Sequence, residues 1–164
     1  MLQDNPTLTV RLVRGRNPLR VVVDSGLATP FTANVLRNLS EAPTRIATTK
    51  KPSDPRYRAL SEAGARLMTV APDREGHVDL KKLFRKLAAE NISSVLIEGG
   101  AGIITSALRE GLARRLVVVT APKIIGKGIE AVGDLNIRDL KDAKPLSVRK
   151  IFKKGPDVIM DARL

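Results

Sequence analysis

Apolar residues follow two alternating rhythms along this chain, short unbroken runs and helical stripes. Arg20-Val-Val-Val-Asp24 is a run closed by an Asp-Ser-Gly turn, which predicts a buried strand. Thr44–Thr49 predicts a second strand, Arg66–Val70 a third, Val95–Ile97 a fourth and Arg115–Ala121 a fifth. The stripes lie between them. Behind Asp79, a helix-capping residue type, Leu80, Leu83, Phe84, Leu87 and Ala88 recur at helical spacing. Ile103, Ile104, Ala107 and Leu108 repeat that logic, and Gly111 stands where a C-terminal cap belongs. Pro30–Leu39 and Pro55–Gly64 are shorter helix candidates.

Strands that alternate with helices, as runs rather than strict alternation, predict an α/β fold with a mixed, mainly parallel sheet flanked by helices. The tail differs. Pro145–Lys153 and Val158–Asp161 flank the turn signature Lys154-Gly155-Pro156-Asp157, which predicts a C-terminal antiparallel β-hairpin. No repeat, low-complexity segment or linker interrupts the pattern. A chain of 164 residues fits one domain with a substantial core.

Composition narrows the chemistry. With three Phe, one Tyr and no Trp, the core must be aliphatic, and base-stacking platforms are scarce. That counts against a nucleic-acid partner. Lys+Arg 29 against Asp+Glu 17 leaves a net charge of +12, which favours phosphorylated ligands or polyanions. The absence of cysteine excludes disulfides, thiol chemistry and the Cys-containing zinc sites of nucleobase deaminases. A single histidine, His77 in the polar turn Asp73–His77, excludes a multi-histidine metal site, so no metal is expected. Nothing resembles a signal peptide or a membrane span, so the chain reads as cytoplasmic, with no membrane partner.

Residues 95–111 carry the most chemistry. The run Val95–Ile97 ends at a carboxylate, Glu98; Gly99, Gly100 and Gly102 follow, and a helical stripe begins. A strand that turns through glycines into a helix gathers backbone N–H groups at a positive helix end, which suits phosphate. The spacing is neither G-x-G-x-x-G nor a P-loop. A tight turn that needs glycine only for close packing is the competing reading.

Three ordered blocks then carry a family resemblance. They are Asp4-Asn5-Pro6-Thr7-Leu8-Thr9-Val10-Arg11, then Arg20–Ser25 with Thr29-Pro30, then Glu98–Gly102 followed by Ala121–Gly126. In this order, with the closing Gly155-Pro156-Asp157-Val158, the chain resembles the RibD C-terminal family, the pyrimidine reductases of riboflavin biosynthesis, whose fold is dihydrofolate-reductase-like. The resemblance runs from Asp4 to the C-terminus.

It implies NADPH-dependent reduction of a ribosylamino-pyrimidine 5′-phosphate, deaminated or in its 2,5-diamino form, to the ribitylamino product. It implies a phosphorylated pyrimidine substrate as partner, a homodimer, and no metal. By matching position, Leu8, Arg11 and Glu98 contact substrate. Asp4, Ser25, Gly100, Ala101, Gly102, Ile103, Ile104, Thr105 and Ser106 contact the cofactor. Arg11 suits a sugar phosphate or a pyrimidine carbonyl through paired hydrogen bonds. Asp24 reads as a turn residue. By analogy with dihydrofolate reductases, the Gly99–Gly100 peptide is expected to be cis. Family members also carry a strand and helix ahead of the Asp-Asn-Pro block, including a lysine suited to proton donation. The expectation is therefore a single reductase-like domain, residues 1–164, lacking that segment. A catalytically inactive, truncated NADPH-binding or dimerisation module of the same fold is the alternative, and the catalytic acid stays unassigned.

Overall fold

The computed structural model describes residues 4–164. They divide into two compact units, one ending at Ser93 and one running from Ser94 to Leu164.

The first unit is built on three parallel strands, β1 (Arg20–Val23), β2 (Thr44–Thr48) and β3 (Arg66–Thr69), in the order β1-β2-β3. Val22 lies opposite Ile46, and Ile46 opposite Leu67, so the apolar runs stack in register. Two helices accompany the sheet, α1 (Pro55–Glu62) and α2 (Leu80–Ala89). α1 starts where its sequence says it should. Pro55 occupies the first turn and the Asp54 carboxylate accepts from Arg56 N at 2.9 Å. In α2 the stripe Leu80, Leu83 and Leu87 is buried. Leu27, Val35, Ile46 and Leu60 are fully enclosed in the core. Each such side chain is worth about 1.5–3 kcal/mol relative to exposure.

One helix candidate in this unit is corrected. Of Pro30–Leu39, only Asn34–Leu36 is helical, a single 3-10 turn. The Asn34 amide N–H donates to the Asn5 side chain (2.8 Å), and the Asn34 side chain donates to Asn5 O (2.7 Å). Its backbone donor is therefore taken by a distant residue, and at Asn38 a φ of +52° turns the chain away.

The second unit holds α3 (Ala101–Arg109) and an antiparallel sheet of β4 (Arg115–Thr120), β5 (Ser147–Lys154) and β6 (Asp157–Arg163), ordered β4-β6-β5. The expected terminal hairpin is β5–β6, closed by Lys154 opposite Asp157. A bulge interrupts β5 between Val148 and Lys150. Gly111, with a φ of +66°, follows α3 as expected, and Leu112 N donates back to Ala107 O at 2.9 Å.

The α/β class stands, but the fourth strand is corrected. Val95–Ile97 forms no strand, and Leu96 is 78% exposed. An apolar run becomes a strand only when its backbone groups meet a ladder partner, and none is present among the described residues. The described strands form one parallel and one antiparallel sheet of three strands each. Among the described residues no helix is long and apolar enough to cross a membrane.

Candidate functional site

In the first unit the Asp-Asn-Pro block is a strap without secondary structure of its own, held by side chains. Asn5 is bonded twice to Asn34. Val10 N donates to Asn17 Oδ1 at 2.9 Å. The Arg20 guanidinium, buried at the start of β1, donates to Thr7 O (3.0 Å), to Arg37 O (3.1 Å) and to Ala42 O. Burial lowers its pKa from the ordinary arginine value, because no carboxylate repays the lost hydration. Leu8, at a positive φ of +51°, turns its side chain onto the core cluster around Val22 and Leu27. Arg11 and Asp4 are exposed, with no ion pair among the described residues.

Ser25 lies in the turn after β1, half-buried, and its hydroxyl accepts from Val78 N at 2.9 Å. Its carbonyl accepts from the hydroxyls of Thr48 and Thr49, each at 3.0 Å. Asp24 proves to be a turn residue. Its carboxylate accepts from the N–H groups of Ala28 (2.9 Å) and Thr29 (2.7 Å) and from the Thr29 hydroxyl (2.6 Å). His77 sits exposed in its polar turn, where Asp73 gathers the amides of Glu75 and His77.

In the second unit the glycine turn leads directly into α3. Gly100 is its N-cap, with φ +84° and ψ +104°, and no side chain caps the first turn. A β-carbon at Gly102 would meet nothing within 4 Å. The first-turn amides are thus open, at the positive end of a helix dipole. The Gly99–Gly100 peptide, expected to be cis, is trans. Ile103 and Ile104 are partly buried, and Ser106 is half-buried. Glu98 is exposed beside this turn.

Thr105 ties α3 to the loop at Gly133. It is buried, and its hydroxyl donates to Ala101 O (2.6 Å) while accepting from Gly133 N (2.8 Å). Its polar atom is spent on tying the loop at Gly133 to α3. Arg109 reinforces that tie by donating to Asp134 O at 3.0 Å, and Arg138 grips the Asp134 carboxylate at 2.7 and 2.8 Å. The Arg138 hydrogen bond holds the Asp134 carboxyl well below the usual carboxylate range.

Two features escaped the sequence reading. A polar cavity of about 280 Å³ lies in the first unit, lined by Thr7, Thr9, Asn17, Arg20, Arg37 and Glu41 among others, and none of the expected site residues lines it. The threonine pair Thr48-Thr49 converges on Ser25 O, a clustering of polar groups at strand ends that only the parallel pairing of β1 and β2 reveals.

These blocks coincide with a known family. The model of the RibD C-terminal domain matches residues 1–160. The chain belongs to the RibD C-terminal domain family. Two proteins of Aquifex aeolicus (strain VF5) are similar to it. One is its riboflavin biosynthesis protein RibD, 35% identical over 161 residues, spanning 98% of this chain and 43% of that protein. The other is its 2,5-diamino-6-ribosylamino-4(3H)-pyrimidinone 5′-phosphate reductase, 35% identical over 160 residues, spanning 96% of this chain and 70% of that protein. This RibD-family chain thus spans less than half the length of the RibD relative. Among solved structures, Acinetobacter baumannii RibD has a TM-score of 0.80 at 21% identity, covering 99% of this chain and 44% of that one. That likeness shows the fold.

Proposed function

We propose that this RibD C-terminal domain is an NADPH-dependent oxidoreductase. In this reading residues 1–164 serve as a single reductase domain of riboflavin biosynthesis, cytoplasmic and homodimeric. It reduces 5-amino-6-(5-phosphoribosylamino)uracil or its 2,5-diamino precursor to the ribitylamino product. The observation that carries the reading is the 35% identity, over 96% of the chain, to a protein named as that reductase. The exposed apolar residues Val117, Val119 and Ile151 of the antiparallel sheet support self-association.

The residues fit a nicotinamide dinucleotide. The uncapped start of α3 and the positive φ of Gly100 let backbone amides approach a diphosphate, and no side chain blocks Gly102. The cofactor supplies hydride chemistry, in which C1′ of the ring-opened imine gains a hydride and its nitrogen a proton. The chain's own residues bind and orient. Asp4, Ser25, and Gly100, Ala101, Gly102, Ile103, Ile104, Thr105 and Ser106 serve the cofactor. Leu8, Arg11 and Glu98 serve the substrate. Arg11 offers a guanidinium to the phosphate or a pyrimidine carbonyl, and Glu98 accepts from ring N–H, amino or ribose hydroxyl groups.

The test follows NADPH absorbance with either pyrimidine phosphate and identifies the product by mass spectrometry. Oxidation matched by ribitylamino product is expected. Arg11→Ala should raise the substrate KM by about 10-fold or more, the loss of a charge-assisted hydrogen bond, and leave NADPH affinity unchanged. Absence of turnover and of NADPH binding would overturn the reading. NADPH-induced thermal stabilisation without turnover would favour an inactive module of the same fold.

A further inference from the structure

Two lysines stand beside Ser25 at the carboxyl ends of the parallel strands. β2 ends at Thr48, and the chain continues as Thr49, Lys50 and Lys51. Because β1 and β2 are parallel, Ser25 and this tetrad of Thr-Thr-Lys-Lys emerge from the same sheet edge. The main chain there is fixed. Asp24 N donates to Ala47 O at 2.8 Å, and both threonine hydroxyls donate to Ser25 O. Lys50 N donates to Thr48 Oγ1 at 3.2 Å, and Lys50 O accepts from Thr69 Oγ1 at 2.9 Å. Lys51 O accepts from Asp54 N at 2.9 Å.

The side chains of Lys50 and Lys51 are exposed, and neither makes an ion pair among the described residues. The neighbouring acids are already engaged. Asp24 is committed to the Ala28 and Thr29 amides, and Asp54 caps α1. Arg58 adds a further cation, donating to Pro52 O and Ser53 O. The loop is therefore a rigid backbone that carries uncompensated positive charge.

In parallel sheets that bind dinucleotides, the ligand lies outside the carboxyl ends of the strands. An acidic group near the end of the second strand accepts the ribose 2′-hydroxyl of NAD, and a cation there accommodates the 2′-phosphate of NADP. Here that place carries no acid and two lysines. We propose that Lys50 and Lys51 receive the 2′-phosphate of NADPH and set the preference for NADPH over NADH. The inference rests on the cofactor reading given above. Ser25 would then lie beside the adenosine ribose, and Lys50 and Lys51 would supply point charges to the dianion.

The test compares the wild-type chain with the double variant K50Q/K51Q, and with K50R/K51R as the charge-preserving control. Affinities for NADPH, NADH and adenosine 2′,5′-bisphosphate are measured by calorimetry, with circular dichroism to confirm the fold. Wild type should prefer NADPH. K50Q/K51Q should lose about 10- to 100-fold in affinity for NADPH and for the bisphosphate, with NADH unchanged, and K50R/K51R should restore most of it. A glutamine variant that keeps its NADPH preference overturns this assignment and leaves the reductase reading standing. Equal losses for NADPH and NADH overturn it as well, by revealing a merely structural role. A wild-type chain that binds neither nicotinamide cofactor overturns both readings.

Discussion

α2 and α3 begin in opposite ways. α2 closes its own start, since the Asp79 carboxylate accepts from Lys82 N at 3.0 Å and pairs with Lys82 Nζ at 3.1 Å. α3 opens on a glycine with no side-chain cap. The units that carry them differ in the same sense. The first buries a continuous cluster through Val22, Ile46 and Leu60, whereas the second leaves every residue of β5 exposed. A helix start that satisfies itself contributes stability and nothing else. A start that leaves its amides open gives up that contribution and keeps a place for an anion. The first unit closes its helix start at α2, and the second leaves the start of α3 uncapped by any side chain.

The strongest way to break this contrast is to truncate matching apolar side chains. Leu83→Ala in α2, 1% exposed, should cost about 3 kcal/mol of stability, as core leucine truncations do. Ile151→Ala in β5, 63% exposed, should stay within about 0.5 kcal/mol in the monomer. Urea unfolding of the two variants measures both. Similar costs would mean that the β5 face is covered in solution.

The caps sharpen the comparison at a smaller scale. Asp79→Ala should cost about 1 kcal/mol at neutral pH. Its pKa is lowered by the Lys82 backbone N–H first and the Lys82 ammonium further on, so the folded form holds the carboxylate below its ordinary value of 3.8. The stabilisation is therefore complete above that value and fades as pH falls through the lower folded-state value. Wild type and variant should converge in acid, which denaturant titrations across the acid range will check. Gly100→Ala should also cost about 1 kcal/mol, from the positive φ, but with no pH dependence.

The smallest effect belongs to the exposed pair Arg115–Asp161, with Nε and Oδ1 2.8 Å apart. The Arg115 hydrogen bond lowers the Asp161 pKa. Carbon-detected NMR titration should find Asp161 titrating below the ordinary aspartate value, and Arg115→Ala should move it up. An unchanged titration in the variant would show that the pair does not persist in water.

Most of this fold was legible in the sequence. β1, β2 and β4 fall within a residue or two of their apolar runs, and Gly155-Pro156 marks the hairpin. What the sequence concealed depends on partners. Val95–Ile97 has the composition of a strand, but ladder pairing is not written in a single run. Pro30–Leu39 has helical spacing, but Asn5 takes the Asn34 amide from far along the chain. The same holds for the candidate site. Gly100 and Ser25 were visible as turn residues, whereas the employment of the Thr105 hydroxyl by Gly133 N appears only when the loop is in place. Lys50 and Lys51 gained meaning only once β2 lay beside β1.

Arg20 shows how far one side chain's reach extends. Its guanidinium joins Thr7, Arg37 and Ala42, three stretches that share no ladder with one another. The strap bearing Leu8 and Arg11 is therefore tied to the first residue of β1 as well as through Asn5 and Val10. Removing that side chain would strip away one anchor of the strap and leave the Asn5–Asn34 and Val10–Asn17 bonds to hold what remains.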